Sequence, residues 1–307
     1  MDELFISQVE EALRAEGLEL KGPLIEGKQR HNGSLSDGSS IFVKVLGSTN
    51  TSDAFTREIG MAKLLPYAPK PLLEWPLDVA GTFITAWEHV EGNEITCERA
   101  NEEDATKLVL DLFEIYAIPT EKVRFHVDRL TASTIERRLH VAYIEDKIPA
   151  SLLKDVETAV RYHAFDFLDS ATAMMMREDT VIHGDPHMGN MLKSANGTSR
   201  LIDYESVKRA PLEYDLATMF QDLSQINERD DLWVSSYNLF VDMMSYTMGR
   251  DVDELLLKEL ILFKNAQTLT YLIAFGDWDV VASRTSALLE AVKTEAPPER
   301  LQKQAGL

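Results

Sequence analysis

One cysteine, Cys97, stands in a chain of 307 residues. That excludes an internal disulfide and a zinc site built from several thiolates, and a reducing cytoplasm is the simplest setting. No apolar run approaches the roughly 20 residues of a membrane helix. The opening Met1-Asp2-Glu3-Leu4 is acidic and amphipathic, unlike a signal or transit peptide. No internal repeat and no low-complexity tract occurs. Gly-x4-Gly-Lys-Ser/Thr is absent, which excludes a Walker-type ATPase. Basic residues are few: 31 Lys and Arg against 51 Asp and Glu, a net charge of −20. Such a chain should repel nucleic acid, whose phosphates need clustered Lys and Arg. Its field would instead draw cationic ligands, or serve only solubility.

The remaining composition, 45% apolar and 27% charged, is that of a globular protein large enough for two lobes. Apolar spacing predicts a helix over 3–16, then strands over 18–25, 29–35 and 40–46 broken by Gly27-Lys28 and Asp37-Gly38. A helix over 53–65 and strands over 71–78 and 82–90 follow. Residues 1–90 therefore read as a small, mostly antiparallel sheet lobe with one inserted helix. Residues 91–100 read as a hinge, and 101–307 as a larger helical lobe. In that lobe a long apolar stripe runs from Val156 to Met175, with further helices over 213–226, 231–247, 253–275 and 280–293. The fold class is α+β and bilobal.

The helical half is interrupted at 181–205, where the chemistry-bearing residues lie. Asn196-Gly197 between apolar runs signals a hairpin. A two-residue turn there pairs positions whose numbers total 393 and sets Asn190 opposite Asp203. An amide oxygen and a carboxylate so placed can share a hard cation such as Mg²⁺ with phosphates. Asp185 enters that hairpin five residues before Asn190, where it can orient and deprotonate a hydroxyl. In the first lobe Lys44 lies on the Phe42 face of a strand, opposite Ile41, Val43 and Val45. Glu58 sits on the apolar helix stripe of Phe55, Ile59, Ala62 and Leu65. An ion pair between Lys44 and Glu58 is expected.

These residues together resemble the aminoglycoside phosphotransferase and choline kinase-like family, which shares the protein-kinase fold. His183, Gly184, Asp185 and Asn190 match its His-Gly-Asp-x4-Asn pattern. Ile202, Asp203, Tyr204 and Glu205 match Ile-Asp-hydrophobic-Glu, and Tyr214, Asp215, Leu216 and Ala217 match Tyr-Asp-Leu-Ala. The resemblance implies an ATP- and Mg²⁺-dependent kinase for small-molecule hydroxyls. Asp185 would be the base, Asn190 and Asp203 the metal ligands, and Lys44 with Glu58 the pair that positions phosphates. Asp215 and His183 would brace the loop, and backbone groups near Glu88 and Val90 would bind adenine. The phosphate loop departs from Gly-x-Gly-x-x-Gly. Gly27 within Gly27-Lys28-Gln29-Arg30 is its expected position, with Gly33 the weaker candidate.

The family's acceptor pocket lies between the catalytic loop and the C-terminal helices. His187, Asp277 and Asp279 are the candidate substrate contacts there, against a helix-capping reading of Gly276-Asp277-Trp278-Asp279. The net charge favours a cationic, aminoglycoside-like acceptor, consistent with antibiotic resistance; choline or a sugar is the metabolic alternative. A nucleotide-binding regulator without turnover is the non-enzymatic rival. His183-Gly184-Asp185-Pro186-His187 also reads as a metallohydrolase His-x-Asp-x-His cluster, but no other histidine falls into a second ligand-spaced cluster.

Overall fold

A computed structural model describes residues 3–25, 30–45, 52–123, 133–144, 147–166 and 180–294. The first lobe is a four-stranded antiparallel sheet in the order β1 (Arg30–Ser34), β2 (Ser40–Val45), β4 (Thr82–Glu88), β3 (Leu77–Val79). The strand expected over 18–25 is reduced to two isolated bridges, Leu20 to Leu35 and Ile25 to Asn32. Strand periodicity decides which face is covered. Ile41, Val43 and Val45 on β2 turn one way and pack with Ile84 and Ala86 against Val9 and Leu13 of α1 (Glu3–Ala15). Phe42 and Lys44 turn the other way, toward a cleft. Helix α2 (Ser52–Leu64) buries Phe55, Glu58 and Ile59.

The expected hinge is not a free tether. Its residues Asn93–Glu94 form a short strand, β5, antiparallel to β7 (Met191–Lys193), which in turn pairs with β8 (Ser199–Leu201). A Cβ on Gly92 would meet the Lys193 carbonyl at 2.8 Å, so the linker can lie this close only as glycine.

The second lobe is built on α3 (Glu102–Tyr116), α4 (Ser133–Ile144), α5 (Ala150–Val160), α6 (Glu213–Phe220), α7 (Asp230–Met248), α8 (Glu254–Phe275) and α9 (Trp278–Thr294). Helix α3 opens with a reciprocal capping box between Asn101 and Asp104, a device that stabilises a helix start by about 1 kcal/mol. Helix α3 packs on α7, and α8 packs on α6 and α9. Phe113, Tyr116 and Phe240 stack edge-on within this core. Helices α5 and α6 each widen into a single π turn, at Arg161–Asp166 and Gln221–Ile226. The end of the Val156 to Met175 stripe lies outside the described residues. Two short strands, β6 (Val181–Ile182) and β9 (Lys208–Arg209), pair beside the β7–β8 hairpin and bracket the loop that carries Asp185. No described helix is long and apolar enough to cross a membrane.

Candidate active site

Lys44 is the meeting point of the two lobes. Its ammonium lies 3.2 Å from both carboxylate oxygens of Glu58 on α2. It also lies 2.7 Å from Asp203 and 2.9 Å from Glu205, both in the second lobe. Burial alone would lower the Lys44 pKa, but the three carboxylates outweigh it and hold the ammonium above the usual lysine value. Burial, helped by Asp203 and Glu205, pushes the Glu58 carboxyl up, and Lys44 opposes that shift. Three acids facing one base leave a surplus of negative charge. Oxygens of Glu58, Asp203 and Glu205 lie within 4.8 Å of one another, a donor set suited to a hard divalent cation. Lys44 engages all three carboxylates, Glu58 through both of its oxygens.

The hairpin sits one residue away from its expected register. Met191 faces Leu201 and Lys193 faces Ser199, so paired numbers total 392 and Asn190 faces Ile202, not Asp203. The reason is the turn. Ala195-Asn196-Gly197 is a three-residue loop closed by Ser194 and Thr198, with Gly197 at φ 86°, the left-handed position this loop type requires. Asp203 lies one step beyond the ladder at φ 70°, a conformation rare for a residue with a Cβ. The Asn190 amide nitrogen donates to the Asp185 carbonyl at 2.9 Å, which leaves its amide oxygen as the ligand-type atom.

The loop over 183–190 is held by α6. Asp215, wholly buried, accepts the His183 N–H at 2.9 Å, the Gly184 N–H at 2.8 Å and the Tyr116 hydroxyl at 3.0 Å. Burial pushes its pKa up to about 6 despite those donors. Gly184 stands at φ 85°, and a Cβ there would meet the Ser206 carbonyl at 2.2 Å. His183 is buried, with Nδ1 accepting the Asp185 N–H at 3.3 Å and Nε2 against the Ile202 carbonyl at 3.1 Å. An amide can only donate and a carbonyl only accept, so the proton is on Nε2. Burial holds this imidazole neutral, with its pKa down at about 4. Asp185 presents a half-exposed carboxylate, with His187 Nε2 at 3.8 Å.

The cleft between the lobes has a volume of about 360 Å³ and runs from Phe42, Trp87 and Val90 past Leu192 and Ile202 to Lys44 and Asp203. At its rim the Glu88 N–H donates to the Lys70 carbonyl and the His89 N–H to Ser40. Among the described residues the Val90 N–H has no partner. Gly27 lies outside the described residues. Gly33 is a packing glycine on β1, where a Cβ would meet Leu24 at 2.8 Å. Asp277 accepts the Val280 N–H at 3.4 Å as a helix cap, and both it and Asp279 are exposed at the start of α9. Among the described residues neither is hydrogen-bonded to the catalytic loop.

Sequence reading missed several side chains that shape the site. Glu205, matched in the sequence only as a motif residue without a role, joins Lys44. Asp222 accepts the Met188 N–H at 2.9 Å and so holds the far side of the loop. Asp104 and Asp111 on α3 hold the hairpin: Asp104 accepts from Lys193 at 2.8 Å and Ser199 at 2.6 Å, and Asp111 accepts the Leu201 N–H at 2.8 Å and pairs with Lys107.

Residues 53–237 match the phosphotransferase enzyme family. Among solved structures, choline kinase LicA from Streptococcus pneumoniae superposes with a TM-score of 0.66 at 16% identity, over 94% of this chain and 99% of that one. Amicoumacin kinase hAmiN, in complex with AMP-PNP, Ca²⁺ and Ami, gives 0.66 at 14% identity over 97% and 98%. A thermostable mutant of aminoglycoside phosphotransferase APH(4)-Ia, in a ternary complex with AMP-PNP and hygromycin B, gives 0.60 at 17% over 94% and 100%. At such identities the likeness is one of fold. No curated protein sequence matches the chain.

Proposed function

Because the chain belongs to the phosphotransferase enzyme family, we propose that it transfers the γ-phosphoryl group of ATP, as the Mg²⁺ complex, to a hydroxyl of a small molecule in the cytoplasm. One observation carries this reading. Lys44 and Asp203, 159 residues apart, meet at 2.7 Å on the wall of the inter-lobe cleft, beside the loop that presents Asp185. Phosphoryl transfer is chiefly positioning and charge stabilisation, and this arrangement supplies both. The Glu88 carbonyl and the Val90 N–H are the groups for adenine. Lys44, fixed by Glu58, reaches the phosphates. Asp203 and the Asn190 amide oxygen would hold the Mg²⁺, which neutralises charge on the phosphate oxygens. Asp185 orients the acceptor hydroxyl and takes its proton. Asp215 and the neutral His183 keep that carboxylate in place through the backbone of 183–185.

Two of the structural relatives were solved with a nucleotide analogue, one of them with a divalent cation, which supports nucleotide and metal use here. A net charge of −20 would draw a cationic acceptor from solution. Which charge the site itself prefers is decided by the side chains next to Asp185, not by the total.

The test is ADP release with ATP and Mg²⁺ over a panel of hydroxylated acceptors. Asp185→Asn should lower transfer by about 10²–10⁴-fold while ATP still binds. Undiminished turnover in that variant would remove Asp185 as the base. ATP binding without turnover on any acceptor would favour a nucleotide-binding regulator.

A further inference from the structure

Several cations of the second lobe meet carboxylates, among them Lys107 with Asp111, Lys193 with Asp104, Arg229 with Asp231 and Arg250 with Glu213. Lys208 on β9 and Lys264 in the middle of α8 do not. Among the described residues neither forms an ion pair, in a chain where acids outnumber bases 51 to 31. Both instead converge on Tyr214. The Lys208 ammonium lies 3.4 Å from the Tyr214 hydroxyl and 4.8 Å from its ring centroid, and that of Lys264 lies 5.0 Å from the same ring. The Tyr214 hydroxyl proton is directed to Gln267 Oε1 at 3.3 Å, so the phenol oxygen is left to face the lysines. Lys264 is only 6% exposed. Burial pulls its pKa down, but Tyr214, Asp185 and Asp215 outweigh burial and keep it charged. Burying an ammonium without a close counter-ion is unfavourable, because its hydration is lost without repayment. Folding tolerates that where a ligand supplies the missing charge.

The position of the pair says which ligand. The Lys208 side chain packs on Gly184, with Cε 2.6 Å from where a Cβ would stand, directly before Asp185. Lys264 and Tyr214 both lie within the field of the Asp185 carboxylate. Neither lysine lines the nucleotide cleft. Attacking and leaving oxygens stand in line across the transferred phosphoryl group, so a charge beside Asp185 but outside the nucleotide cleft lies on the acceptor's side.

We infer that the acceptor carries an anionic oxygen group, a carboxylate or a phosphate, bound by Lys208 and Lys264 while its hydroxyl meets Asp185. The inference rests on the kinase reading above and names its substrate class. It runs against the charge of the whole chain because long-range fields are screened within about 8 Å at physiological salt, whereas charge-assisted hydrogen bonds act at contact.

Four compounds that share a polyol frame test it: glucose, glucosamine, gluconate and glucose 6-phosphate. Their binding to the Mg·ADP-loaded protein is measured by calorimetry, and ADP release by the same four is measured with ATP. The expected result is affinity at least about tenfold higher for gluconate or glucose 6-phosphate than for the neutral and cationic compounds; which of the two binds tells carboxylate from phosphate. Lys208→Gln, at a half-exposed position, and Lys264→Gln should each shrink that preference. No charge preference in wild type, including no binding at all, or a preference for glucosamine, would overturn the inference. So would variants that lose Mg·ADP affinity in place of charge preference, since the lysines would then serve the nucleotide. The kinase reading stands or falls separately, on ATP binding and on Asp185→Asn.

Discussion

Helices α3 and α6 do the same job in two different ways. Each sets two aspartates seven positions apart, on one helix face, against the segment 181–205. On α3, Asp104 and Asp111 grip the β7–β8 hairpin, and each is also met by a lysine. On α6 and its π turn, Asp215 and Asp222 grip the loop on either side of Asp185, and their donors are backbone amides, a tyrosine hydroxyl and the Asn227 amide. The electrostatic result differs. Burial pushes Asp104 up, but Lys193, Ser199 and the Asn101 N–H outweigh it and hold the carboxyl below the ordinary range. Asp215, with no cation in contact, is driven up to about 6. On α3 each carboxylate has a lysine in contact, although burial still pushes the Asp111 carboxyl up, and this clamp anchors the hairpin. The α6 clamp keeps a costly charge where it can orient a loop by hydrogen bonds alone.

The comparison predicts a split between stability and rate. Asp215→Ala should have the largest effect, because it strands two buried amides and a buried hydroxyl. We expect a stability loss of about 3 kcal/mol and a fall in transfer of about 10²-fold, read by urea unfolding and by ADP release. If stability drops but kcat holds, α6 is only an anchor like α3. Asp111→Ala should cost about 1–3 kcal/mol through the stranded Leu201 amide, with kcat close to wild type. A kcat loss as deep as that of Asp215→Ala would erase the distinction between the helices.

The smallest effect is one of pH. Asp215 binds its proton more tightly folded than unfolded, so its contribution to stability falls as the pH rises from about 4 to about 6. His183, neutral down to about pH 4 when folded but only down to about pH 6.5 when unfolded, contributes stability that is lost as the pH falls from about 6.5 to about 4. The two slopes oppose. Asp215→Asn should leave the His183 slope exposed, so the variant gains stability relative to wild type as the pH rises from about 4 to about 6. Parallel curves for the two proteins would show that Asp215 does not titrate there.

Much of this site was legible in the sequence because its residues are local. His183 to Asn190 and Ile202 to Glu205 are short runs, and Lys44 and Glu58 each lie out of place on an apolar pattern. The register was misread by one residue because the sequence does not distinguish a two-residue turn from a three-residue loop around Asn196-Gly197. The strand over 18–25 failed because apolar alternation does not guarantee a partner along its whole length. Asp104, Asp111, Asp222, Lys208 and Lys264 were invisible for a different reason. Each looks like an ordinary charge on a helix or strand until folding brings a distant amide, phenol or carboxylate against it.

The contact between Lys44 and Asp203 spans more than half the chain. Closing so long a loop is entropically slow, and no local element can form it early. Lys44 is therefore synthesised well before the residue that completes its site. Until then Lys44 and Glu58 are an ordinary ion pair on a half-finished surface. A chain interrupted anywhere before residue 203 is left without this contact.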